Sequence, residues 1–86
     1  MGSLDLQKLV RAKHMATAEK LKGEIEDWKR LIGVLEKQLK VSTKMFEKYG
    51  DETSKKFMES DAENLIFVKK MLAEDRKLLD AYEAEL

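Results

Sequence analysis

Imidazole is the side chain that most readily binds a metal or exchanges a proton near neutral pH, and this chain holds one, His14. A metal site built on helices commonly sets a glutamate three residues before the histidine, so that both ligands share one face. Here that position is Arg11. No His-Glu-x-x-His run, Gly-rich phosphate loop or Gly-x-Ser-x-Gly turn occurs. With no cysteine there is neither a thiol nucleophile nor a disulfide framework. His14 reads as a helix-surface residue, and the sequence predicts no metal, no other cofactor and no catalysis.

Two further sets of residues can do something short of catalysis. Trp28 and Asp75 both fall on apolar seams described below, and a carboxylate there can accept the indole N–H, satisfying both groups and fixing the register of two helices. Arg30, Lys37 and Lys44 recur every seven residues with Lys40 and Lys48 beside them, a spacing that can track phosphates. Interleaved acids, among them Glu26, Glu36 and Glu47, argue instead for an ordinary solvated face. The outline resembles, in architecture alone and with no matching residues, the Rop type of RNA-binding helical-hairpin dimer. Nucleic acid is therefore an alternative partner and not the expected one.

The elements that position these residues are legible in the apolar spacing. Ala18, Leu21, Ile25, Trp28, Ile32, Leu35, Leu39, Ser42, Phe46 and Tyr49 recur at alternating steps of three and four, a coiled-coil seam. Gly50-Asp51 breaks it, glycine suiting a left-handed helix end and aspartate the cap of the next helix. The spacing resumes through Met58, Asp61, Leu65, Val68, Leu72, Asp75, Leu79, Tyr82 and Leu86. A connection of about four residues joins only antiparallel neighbours. The expected fold is all-α: a helix over 18–49, a turn at 50–53 and a helix over 54–86, with 1–17 a helical overhang.

Charge supports the pairing. Residues 1–49 hold eleven Lys/Arg against seven Asp/Glu, and residues 50–86 hold six against ten, so a net charge of zero conceals helices of +4 and −4. In the overhang Leu6, Leu9, Val10 and Met15 leave the later heptad phase, which admits a kink or a separate short helix near 12–18. A folded-back third helix, with Leu4, Leu6, Leu9 and Val10 as its apolar face, would make a three-helix monomer and is the alternative to pairing with a second copy.

Each helix also carries a second apolar stripe. In the first it is Leu31, Val34, Val41 and Met45, interrupted by Gln38. In the second it is Phe57, Phe67, Met71, Leu78 and Ala81, with Asn64 and Glu74 interleaved and Ile66 nearby. One hairpin partner cannot cover an arc this wide, and solvating it is unfavourable by about 25 cal/mol per Å². The sequence thus predicts a homodimeric four-helix bundle acting as a non-enzymatic protein-binding module. Leu6, Leu9, Val10 and Arg11 form a second candidate segment for a protein partner, and a structural spacer is the remaining alternative. No apolar run reaches membrane-spanning length and no secretory leader pattern is present, so a cytoplasmic setting is expected.

Overall fold

The computed structural model describes residues 2–85, with side chains from residue 5 onward, so Leu4 as an apolar contributor and the seam position Leu86 lie outside the described residues. It is a helical hairpin. Helix α1 spans Gly2–Tyr49 and α2 spans Glu52–Ala84, the two packing against each other with no strand among the described residues. The molecule measures 72 × 16 × 14 Å. Its length is that of α1 alone, since 48 residues at about 1.5 Å each reach about 72 Å.

The turn is tighter than the four residues expected. Gly50 takes φ 61°, its N–H bonds the Phe46 carbonyl at 2.7 Å, and α2 begins at Glu52. Asp51 has the extended backbone of an N-cap, but its carboxylate caps no N–H; the Lys55 N–H reaches the Asp51 carbonyl at 3.1 Å. Asp51 and Glu52 thus act on α2 through charge at the positive end of its dipole, as Lys48 does at the C-terminal end of α1. A Cβ at residue 50 would meet nothing within 4 Å, so Gly50→Ala tests the backbone alone. It should lower unfolding stability by about 1 kcal/mol in urea titrations, with unchanged helicity.

Helix α1 does not kink at 12–18, and no third helix folds back. The segment between Ser3 and Lys22 contains neither proline nor glycine, so a slip in apolar phase changes which side faces outward without ending the helix. Pairing also extends further than expected. The His14 ring meets Tyr82 edge-on, centroids 5.5 Å apart, so the covered part of α1 starts near His14 and not at residue 18.

The interior is one seam. Ala18, Leu21, Ile25, Leu35, Leu65 and Val68 are buried, and Trp28, Ile32 and Leu39 close over the cluster of Leu35, Leu65 and Val68. Among the described residues no side chain is completely enclosed. A hairpin can bury only the inward edge of each helix, and that shallow interior sets the terms for everything outside it.

Candidate interaction face

Two polar pairs cross the seam. The Trp28 indole Nε1–H donates to Asp75 Oδ2 at 2.8 Å, and Ser42 Oγ–H donates to Asp61 Oδ2 at 2.8 Å. The Gln38 and Leu39 carbonyls lie 3.1 and 3.2 Å from the same hydroxyl as alternative acceptors. Asp75 and Ser42 are buried. Both pairs stand two heptads apart on each helix, so the register that makes one makes the other. The sequence reading placed all four residues on seams and paired only Trp28 with Asp75. The Ser42–Asp61 pair carried the same signal, since folding the chain about Gly50 sets those numbers opposite one another.

Which side of the hairpin each stripe faces follows from the same register. Lys22 reaches Glu83 across the helices at 3.8 Å on one side of the seam. On the other side, a groove of about 680 Å³ opens near the turn, its walls including Val41 and Met45 from α1 and Phe57 from α2, with Ser42 and Asp61 at its base. Leu31 and Val34 stand seven residues before Gln38 and Val41, and Met71 and Leu78 stand fourteen and twenty-one after Phe57. They continue the same side toward the open end. The two stripes are therefore one strip on one side of the hairpin, which residue spacing along each helix taken separately could not show.

The strip is exposed in the single chain. Phe57 is 63% exposed, Val41 62%, Phe67 58%, and Val34, Leu78, Met45 and Leu31 range from 50% to 38%; Met71 is partly covered by its neighbours. Ile66, at 69%, faces away from the strip, beside the polar side. In the overhang Leu6, Leu9, Val10, Arg11 and Met15 are exposed, and Glu85 from the end of α2 joins Leu6, Val10 and Arg11 around a shallow depression.

The basic stripe is exposed as well, but it is not a separate cationic surface. Arg30 lies 3.9 Å from Asp27, and Lys40 and Lys44 share a surface depression with Glu36 and Glu47. Acids interleaved at this density offset the attraction for a polyanion. Neither duplex DNA nor a structured RNA should change mobility with the chain at about 50 mM salt; a shift that weakens steeply as salt rises would reinstate the stripe as a phosphate-binding face.

Among the described residues, no group of three or more His, Cys, Asp or Glu is placed to hold a metal ion, and no helix is long and apolar enough to cross a membrane. No protein-family model, curated protein or solved structure matches the chain.

Proposed function

We propose that the chain is a small, non-enzymatic protein–protein interaction module that acts through helix–helix contacts and pairs with a second copy of itself as a four-helix bundle. One observation carries this reading: the contiguous strip from Leu31 and Leu78 to Met45 and Phe57, apolar along most of its length and exposed in the single chain. Strips of this size on soluble proteins mark interfaces, because water gains by their removal and few monomers tolerate them.

The area is of the right order. Seven large side chains from 38% to 63% exposed, with Met71 partly covered, present on the order of 700 Å² per copy, close to the share each partner contributes to a standard stable interface. A helical face is also the natural occupant. The strip is straight, shallow and two helices wide, so it suits another pair of helices better than a loop or a small molecule.

The overhang has a different part in this scheme. Its apolar residues Leu6, Leu9 and Val10 lie beyond the end of α2, so a bundle formed along the strip leaves them open for a further protein. An adaptor, an assembly factor and an inhibitor all use such a spare segment.

Sedimentation equilibrium is the test. At micromolar concentration the mass should be twice the 10.0 kDa of one chain. A fully helical species of one-chain mass across that range, extending to about 100 μM, would remove the self-pairing reading.

A further inference from the structure

We infer that the two copies are related by a two-fold axis running along the hairpin, so that both turns lie at one end and Gln38 of each copy meets the partner's Asn64. This arrangement presupposes that the strip is a self-interface, as proposed above.

At the middle of its length the strip carries a carboxamide on each helix, and Glu74 interrupts it a second time on α2. Gln38 lies one turn from Ser42, and Asn64 lies three residues from Asp61, on the open-end side of both. Because Ser42 and Asp61 touch at 2.8 Å, Gln38 and Asn64 stand at nearly the same level of the hairpin. Apolar residues flank that level in both directions: Leu31 and Val34 with Met71 and Phe67 toward the open end, Val41 and Met45 with Phe57 toward the turn. An uncharged carboxamide set in an apolar interface is satisfied best by another one, its carbonyl accepting from the opposite NH₂.

Closed two-fold symmetry can bring the strips face to face in two ways. With both turns at the same end, α1 lies on the partner's α2 and the two carboxamides meet at the middle of the strip. Leu31 falls on Met71, Val34 on Phe67, Gln38 on Asn64 and Met45 on Phe57. With the turns at opposite ends, α1 lies on the partner's α1, and one of two costs follows. If the axis passes through Gln38, the partner's turn falls about 12 residues, or about 18 Å, away, and Leu78 lies past it, uncovered. Moving the axis about two residues toward the open end covers Leu78 but sets Gln38 on Val34 and Asn64 on Met71. Each carboxamide is then buried without a partner, a heavier cost than any exposed ion pair can offset.

Charge points the same way. Residues 1–49 carry +4 and residues 50–86 carry −4. With turns together, every helix of the bundle lies between two of opposite sign. The shared-end arrangement also sends both overhangs out of the same end of the bundle, so a partner of that segment meets two copies of it at once.

The chain has no native cysteine, so a spin label on Glu52→Cys, beside the turn, is unique. Pulsed dipolar spectroscopy of the full-length protein should give a separation under about 25 Å, the span of two stacked hairpins. A separation near 45 Å with a two-chain mass would overturn this arrangement while leaving the self-interface standing. A one-chain mass with no dipolar signal would overturn both. The Gln38→Leu/Asn64→Leu variant supplies a second readout. It should dimerise about tenfold more tightly and lose the single sharp distance, as other registers open. Unchanged affinity with an unchanged distance would show that the carboxamides take no part.

Discussion

The Val41→Asp/Phe57→Asp variant should sediment as a single chain and melt at least about 10 °C below the wild type. Both residues lie on the strip beside the turn, and both are more than 60% exposed when the chain is alone. In a monomer, substituting them costs little, because water already reaches them and helix propensity falls only slightly. In a bundle, four aspartates enter an apolar interface, and burying one unpaired carboxylate already costs several kcal/mol. The interface fails first and the melting temperature follows, since about 1 kcal/mol moves the midpoint of a domain this size by about 4–8 °C. Wild-type melting should also rise with protein concentration, and the variant's should not. Ile66→Asp is the control. Ile66 is as apolar and still more exposed, but it faces away from the strip, so its substitution should leave mass and melting temperature nearly as they were. Equal losses in the two variants would show that the side of the hairpin does not matter and that the strip is ordinary surface.

How far the fold was legible depends on which residues are considered. The seam was readable because alternate steps of three and four admit one helical face, and Gly50 was readable because no other residue interrupts both patterns. Burial agrees closely: Leu21, Ile25, Leu35, Leu65 and Val68 are all seam positions. The overhang was harder. Leu6, Leu9 and Val10 signal a change of face, and a change of face has two structural outcomes, a bend or a rotation of the exposed side. Only the backbone distinguishes them, and it continues straight. Polar seam residues were legible singly and not as a set. Trp28 with Asp75 stood out because tryptophan is rare, whereas serine opposite aspartate is unremarkable until the register is fixed. Merging the two stripes into one strip needed a contact off the seam to fix handedness, such as Lys22 with Glu83, and no spacing along one helix supplies that.

Asp75→Ala should destabilise the chain by about 1–3 kcal/mol, shift Trp28 fluorescence, and leave the helices in place. The indole N–H then faces the seam without its acceptor at 2.8 Å, in a position where water enters poorly. Replacing both partners, as Trp28→Phe/Asp75→Leu, should restore stability to about the wild-type level or above, because two apolar side chains leave no polar group to satisfy. What the double variant loses is one of the two pairs that set the register. A slip of one heptad in the native chain sets Asp75 against Leu35 and Asp61 against Tyr49, or Asp75 against Leu21 and Asp61 against Leu35, so either direction strands Asp75 on an apolar neighbour and one direction strands Asp61 as well. The Ser42–Asp61 pair guards the same register from two heptads away, so removing one pair leaves the other holding it. Removing both, with Ser42→Ala and Asp61→Leu added, should give a chain that is at least as helical and resists urea as well, yet populates several assembly states in sedimentation velocity. If that fourfold variant kept one sharp species of the wild-type mass, the polar pairs would owe their place to something other than specificity, and the turn at Gly50 would have to set the register alone.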